Sequence, residues 1–320
     1  MNSINVADDV EYEILPILRV YKDGRVERLV GTEVIPPSFD PQTNVTSKDV
    51  VITPETGVSA RLYLPKITDS SRKLPLLIYY HGGRFCVYSP FHPAYHNYLN
   101  TLVSKANVVA ISIDYRRAPE HRLPTAYNDS WAALQWVGSH CRDGGGPEAW
   151  LNDHVNFERV FLGGDSAGGN IVHNLAIKVG RDELHGLNPY GIALVHAYLW
   201  GLTPIGSEAV DPVKKANVDY VWPFLCPSSP SNDDPRVNPF AVEAPRLEHL
   251  KCKRVLVCVA EKDVLKDRGW LYYETLKKSD WEGVVEIVEA EGEDHVFHLY
   301  NQTTEKAHDF MNTFAHFLKN

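Results

Sequence analysis

Six short apolar runs recur along the chain, at residues 76–80, 108–114, 160–162, 191–196, 255–260 and 284–288. None alternates strictly between apolar and polar residues, so each reads as a strand covered on both faces rather than wet on one. Longer stretches with helical spacing lie between or after them, at 93–105, 126–140, 169–179, 267–279 and 304–319. Parallel neighbours need a crossover, usually a helix, and helices on both faces demand apolar strands. The alternation therefore commits most of the chain to a parallel α/β sheet. The front of the chain differs. Runs 17–21 and 26–29 flank Asp23-Gly24, a strong hairpin pair, and runs 49–53 and 58–64 flank Glu55-Thr56-Gly57. The sheet is thus expected to start antiparallel.

One connection breaks the spacing. His196 and Val255 are separated by 58 residues, far more than a crossover requires. The insert holds Trp200, Tyr220, Trp222, Phe224, Pro227 and Pro230, the composition of a packed excursion, and it is expected to cap the functional edge of the sheet. A chain of 320 residues has ample core without disulfides or metals.

The composition removes several function classes. Net charge is −9, from 32 basic and 41 acidic residues, which gives no support for a nucleic-acid surface and suits a neutral or cationic small substrate better. The five cysteines are odd in number and lack C-x-x-C spacing, against a zinc ribbon or a disulfide scaffold. Gly144-Gly145-Gly146 has no Lys-Ser/Thr after it and so reads as a loop, not a phosphate cradle. No apolar run approaches the roughly 18 residues of a membrane helix. The first 18 residues hold no basic residue, unlike a secretory or transit segment. A soluble, cytoplasmic protein with a small-molecule substrate is expected, with no nucleic-acid or membrane partner.

Gly164-Asp165-Ser166-Ala167-Gly168 carries the chemistry. It follows the strand at 160–162 and opens a helix, the context in which a G-x-S-x-G serine sits on a sharp turn with small residues beside it. His81-Gly82-Gly83 ends the strand at 76–80; glycines there bring backbone N–H groups close to a developing oxyanion. A serine hydroxyl needs a base to take its proton, and the base needs an acid to orient it. In chain order Ser, acid, His, each after a strand, the candidates are Ser166, Asp263 and His295. Glu261, Asp267 and Asp294 compete with Asp263 for the acid. His92 and His96 have i,i+4 spacing, but Pro93 lies between them and no third ligand is evident, so no metal is assigned.

These motifs resemble the hormone-sensitive-lipase group of α/β-hydrolases. Within it the chain is similar throughout to plant carboxylesterases, through Asp114-Tyr115-Arg116-Arg117-Ala118-Pro119-Glu120-His121, Asp234-Pro235-Arg236-Val237-Asn238-Pro239 and Glu293-Asp294-His295-Val296-Phe297-His298 as well as the elbow. The resemblance implies an α/β-hydrolase fold: one domain over residues 1–320 with a mostly parallel, eight-stranded central sheet flanked by helices. It implies a small cap from about 1–45 and about 198–240, a bracing role for 116–121, and an oxyanion hole from Gly82, Gly83 and Ala167. His81, Arg84, Phe85, Asp165 and Val296, next to the catalytic positions, are expected along the substrate pocket. Position 84 departs from the family, which has Gly or another small residue there. If φ is positive at Arg84, the side chain costs of order 1 kcal/mol, and its guanidinium brings positive charge to the oxyanion loop.

The resulting expectation is a serine carboxylesterase for hydrophobic or aromatic esters of modest size, needing no cofactor. Two rivals share the fold. Hydroxyisoflavanone dehydratases and related lyases use the base and oxyanion hole for elimination; Ser166 in place of their common Thr favours the esterase. A hormone receptor of the same group lacks the catalytic histidine, which this chain keeps as His295.

Overall fold

The computed structural model describes residues 9–142, 144–182, 184 and 186–320. Residues 1–8 of the segment expected to join the cap lie outside them. β1 (Val10–Ile14), β2 (Leu18–Tyr21) and β3 (Val26–Arg28) form a small antiparallel sheet of their own. The expected hairpin is its β2–β3 half. The main sheet comprises β4 (Phe39–Asp40), β5 (Val45–Thr53), β6 (Val58–Pro65), β7 (Leu74–Tyr80), β8 (Val109–Asp114), β9 (Val155–Asp165), β10 (Pro189–Val195), β11 (Arg254–Ala260) and β12 (Val284–Ala290). Its order is β12-β11-β10-β9-β7-β8-β6-β5-β4. All six strands from β7 to β12 run parallel, and β4, β5 and β6 supply the antiparallel start. The strand beyond the expected eight is β4, a two-residue edge pairing at Phe39 and Asp40, too short to leave a periodic signal.

The helices are α1 (Pro93–Ala106), α2 (Thr125–Ser139), α3 (Ala149–His154), α4 (Ala167–Asp182), α5 (Gly206–Val210), α6 (Pro212–Asp219), α7 (Val221–Leu225), α8 (Lys266–Lys278), α9 (Phe297–Tyr300) and α10 (Glu305–Lys319). The sheet has a core on each face, which is why its strands show no alternation. Leu76, Ile78 and Tyr80 pack into one core with Leu134 of α2, Ile171 of α4 and Tyr272 of α8. Leu77 and Tyr79 of the same strand pack into the other with Leu99 of α1 and Phe314 of α10.

The strand order reverses around β7, whose neighbours are β8 and β9. Open α/β sheets bind ligands in the crevice outside the carboxyl ends of the strands at such a reversal. Tyr80 of β7 is level with Gly164 of β9, and Val195 of β10 with both Asp165 and Cys258 of β11. The loops leaving β7, β9, β10, β11 and β12 consequently emerge side by side. The long insert folds into α5, α6 and α7 followed by irregular chain. Tyr12 of β1 packs on Phe224 of α7 with ring centroids 5.4 Å apart, so the front of the chain and the insert meet.

The tightest point is Gly168, where a Cβ would stand 1.8 Å from the Tyr80 carbonyl oxygen. Gly168→Ala should therefore destabilise the protein by about 3 kcal/mol or more, in the range of severe single substitutions. Gly57→Ala puts a side chain at φ +77° with nothing within 4 Å, and should cost only about 1 kcal/mol of left-handed strain. Urea unfolding of the two variants checks the contrast.

Candidate active site

Ser166 is the single residue between β9 and α4. Its φ is 52°, a left-handed conformation that is strained for any residue with a Cβ. Three backbone bonds hold it there: its N–H donates to the Val195 carbonyl at 2.9 Å, and its carbonyl accepts from Tyr198 at 2.8 Å and Asn170 at 3.1 Å. The turn is thereby pinned to β10 and to its own helix, with the hydroxyl at the crevice.

His295 lies five residues past β12, and Asp263 three past β11. His295 Nδ1 donates to Asp263 Oδ2 at 2.7 Å, and its Nε2 accepts from Ser166 Oγ at 3.0 Å. Asp263 is buried, and its other oxygen accepts the Leu265 N–H at 2.9 Å. The competing acids are occupied elsewhere: Glu261 accepts from Gly292 N–H, Asp267 from Ser207, and Asp294 from the His295 N–H. Burial alone would push the Asp263 carboxyl up, but the His295 ring and the hydrogen bonds hold it below its ordinary value. Burial likewise pulls His295 down. The charge and hydrogen bond of Asp263 outweigh this and leave the imidazole above its ordinary 6.5, with the Arg84 charge opposing.

The glycine loop corrects the expected donor set. Gly82 N–H donates to the Tyr95 hydroxyl at 2.9 Å, and that hydroxyl donates to Asp165 Oδ2 at 2.9 Å. Gly82 is therefore a link between the two loops and has no N–H to offer a ligand. The backbone N–H groups of Gly83, Arg84 and Ala167 have no partner among the described residues. Arg84 has φ 54° and Phe85 φ 59°, so the positive dihedral that makes a side chain costly at position 84 is present. The 116–121 segment braces this loop from behind. Ala118 N–H donates to the Phe85 carbonyl at 2.8 Å, and Arg117 Nη1 to the Tyr88 carbonyl. Arg28 clamps Glu120 through both carboxylate oxygens and donates to the Cys86 carbonyl at 2.7 Å.

A cavity of about 280 Å³ opens at Ser166 and His295. Of the five side chains expected along it, Arg84 lines it and four do not. His81 is fully buried and stacked on Tyr115 at 4.4 Å, and burial drops its pKa to about 3. Phe85 is buried between Tyr115 and Tyr127. Asp165 faces inward to Tyr79 and Tyr95, each donating at 2.9 Å, and burial raises it to about 6 against those bonds. Val296 is buried beneath the loop. Adjacency in sequence places these residues near the chemistry, but along a turn or a strand end successive side chains diverge. The remaining wall comes from Tyr198, from Lys214 and Val218 of α6, Val221 of α7, and Lys262, Val264 and Leu265 after β11.

His196, the residue after β10, was not singled out in the sequence. Its Nδ1 accepts the Val296 N–H at 2.7 Å, which fixes the loop bearing His295 while Val296 holds φ 48°. Its position at a strand end was the available signal. His196, Asp263 and His295 offer ligand atoms within 4.8 Å of one another, a separation suited to a metal. The two rings have already spent the lone pairs they would offer, however, His196 on the Val296 N–H and His295 on the Ser166 hydroxyl, and Asp263 already accepts from the Leu265 N–H and the His295 ring.

Residues 77–299 match a family model described as the alpha/beta hydrolase fold. The chain is 48% identical over 309 residues to probable carboxylesterase 2 of Arabidopsis thaliana, covering 97% of this chain and 96% of that protein. It is 46% identical over 322 residues to 2-hydroxyisoflavanone dehydratase of Glycyrrhiza echinata, covering 99% and 98%. Among solved structures, a hyperthermophilic esterase from the archaeon Pyrobaculum calidifontis superposes with a TM-score of 0.67 at 27% identity, over 85% of each chain.

A reaction that needs neutral His295 gains rate as the ring loses its proton. Since the ring is raised above 6.5, the rising limb of the pH–rate profile should have its midpoint above about 6.5. Arg84→Gln removes an opposing charge and should move that midpoint higher still. A midpoint below 6.5, or a downward move in the variant, contradicts this electrostatic picture.

Proposed function

The chain belongs to the α/β-hydrolase family, and on that footing we propose that it is a serine carboxylesterase acting on small hydrophobic or aromatic carboxylic esters. The observation that carries this reading is the unbroken relay Ser166–His295–Asp263, with bonds of 3.0 and 2.7 Å. Ser166 Oγ attacks the ester carbonyl carbon as its proton passes to His295 Nε2. Asp263, ionised and buried, stabilises the imidazolium that forms and keeps the ring proton on Nδ1. The carbonyl oxygen, now negative, is met by the N–H groups of Gly83, Arg84 and Ala167, fixed in place before the reaction begins. His295 returns its proton to the leaving alcohol, and water, activated by the same ring, releases the acid and restores Ser166. The cap role belongs to the insert, with the described front of the chain supporting it through Tyr12 and Phe224. Valine and leucine side chains from α6, α7 and the loop after β11 supply apolar walls for the substrate's carbon skeleton. All five cysteines are free, which fits a reducing compartment, and we assign the cytoplasm.

The similarity to a dehydratase supports a second reading, in which His295 removes a carbon-bound proton and the same N–H groups hold an enolate. The two readings part at Ser166, since elimination forms no bond to it. Ser166→Ala should lower kcat/KM for short nitrophenyl esters by at least about a thousandfold, with the circular dichroism spectrum unchanged. Loss of ester turnover with dehydration of a β-hydroxyketone retained would assign the physiological reaction to the lyase class. Ester turnover within tenfold of the wild type would remove the covalent mechanism.

A further inference from the structure

Arg84, Lys214 and Lys262 line the cavity that holds Ser166 and His295. Among the described residues none of the three side chains forms an ion pair or a hydrogen bond. Lys214 and Lys262 are exposed, but Arg84 is half-buried, and in this it differs from four other buried or half-buried arginines. Arg61, Arg116, Arg236 and Arg268 each grip a carboxylate, Asp49, Asp129, Asp234 and Glu208 respectively, at 2.5–2.7 Å. Arg84 is half-buried on a left-handed backbone, where desolvation without a counter-ion is costly. Of the two acids in the same wall, Asp263 is committed to the imidazole and Asp294 is exposed with one oxygen on a backbone N–H. The imbalance is local: the chain as a whole carries −9.

A second, independent feature sits in the same wall. The Tyr198 side chain is 6% exposed and its hydroxyl is buried with no hydrogen-bond partner. Buried polar groups are almost always paired; several side-chain atoms among the described residues are not, but Tyr198 alone of their residues lines this cavity, where a ligand acceptor would pair its hydroxyl. Burial raises the Tyr198 hydroxyl's pKa and the nearby Arg84 charge opposes the rise, which places the two donors in one electrostatic neighbourhood.

Resting on the esterase reading, we propose that the native substrate is an ester carrying a carboxylate away from the scissile bond, bound by Arg84 and the Tyr198 hydroxyl with Lys214 and Lys262 at the rim. Guanidinium pairs with carboxylate through directed, charge-assisted bonds, and a ring of unpaired cations also raises the local concentration of an anionic substrate. The apolar walls take the carbon skeleton between the carboxylate and the reacting carbonyl.

Two matched pairs of esters test this. One pair is the 4-nitrophenyl ester of pentanoic acid and the 4-nitrophenyl monoester of glutaric acid, with the charge on the acyl arm. The other is phenyl acetate and the acetate ester of 4-hydroxybenzoate, with the charge on the leaving arm. In at least one pair the anionic member should have a kcat/KM about tenfold higher at low ionic strength, falling severalfold as salt screens the cations. The preference should shrink severalfold in Arg84→Gln and in a Lys214→Gln, Lys262→Gln double variant, while Tyr198→Phe weakens it through KM. Calorimetric titration of the Ser166→Ala protein with benzoate and with benzamide reads the anion site without turnover, and benzoate should bind about tenfold tighter. Neutral esters preferred in both pairs, with no selectivity for benzoate, would overturn the proposal and leave the esterase standing. Selective benzoate binding in a chain that hydrolyses none of the four esters would uphold the anion site and remove the esterase.

Discussion

The approach of Gly168 to the Tyr80 carbonyl governs the geometry of everything at the carboxyl edge of the sheet. With a hypothetical Cβ only 1.8 Å from that oxygen, α4 can start where it does only because position 168 has no side chain. That start fixes where the Ser166 hydroxyl stands. The same economy of space recurs one loop away, where a Cβ on Gly82 would fall 2.3 Å from Asp165 Oδ2. The two loops are thus packed backbone against backbone, and a buried relay from Gly82 N–H through Tyr95 to Asp165 ties them. Asp165 accepts a second bond from Tyr79. It holds the glycine loop at a set distance from Ser166, and so a carboxyl group next to the serine faces into the protein.

Three histidines near the acid show how position decides protonation. His196 and His298 are buried in an aromatic cluster with Phe297 and Phe310, and burial keeps both well below the ordinary histidine value. His295 belongs to the same neighbourhood, yet it is raised, because Asp263 bonds it directly. His196 lies 4.0 Å from the same carboxylate, too far for a hydrogen bond, and spends its Nδ1 lone pair on Val296 N–H instead. A neutral ring beside a basic one lets Asp263 serve His295 without a competing proton.

The sheet and the relay were legible in the sequence because both follow from local pattern. Continuous apolar runs define strands buried on two faces, and strand ends at the carboxyl edge define where Ser166, Asp263 and His295 can stand. The pocket wall was not legible. Tyr198, Lys214 and Lys262 come from three separate stretches, and only the tertiary fold brings them to one cavity. The glycine loop was legible as a loop, but the state of its individual N–H groups was not. His81-Gly82-Gly83 announces a close backbone approach, but which N–H remains free depends on the Tyr95 hydroxyl, supplied by a helix that begins ten residues further on. The short β4, α5 and α9 elements were missed for a simpler reason, since two to five residues carry no periodicity.

Arg84 joins two demands that a glycine would satisfy only in part. Its backbone adopts φ 54° and its N–H has no partner among the described residues; a glycine would hold that φ without the roughly 1 kcal/mol of strain that a side chain brings. Its guanidinium adds a second unfavourable contribution, since it stands half-buried without a carboxylate. It also lowers the basicity of His295, the group that must accept a proton. Strain, unpaired charge and a weakened base all act against keeping arginine in an empty site. The last two are relieved when an anion occupies the cavity: the charge is neutralised as the side chain gains directed bonds, and the depression of His295 is lifted. Local backbone strain of this kind persists where the surrounding structure enforces it, and here that structure is the brace of Arg28, Arg117 and Ala118 behind the loop.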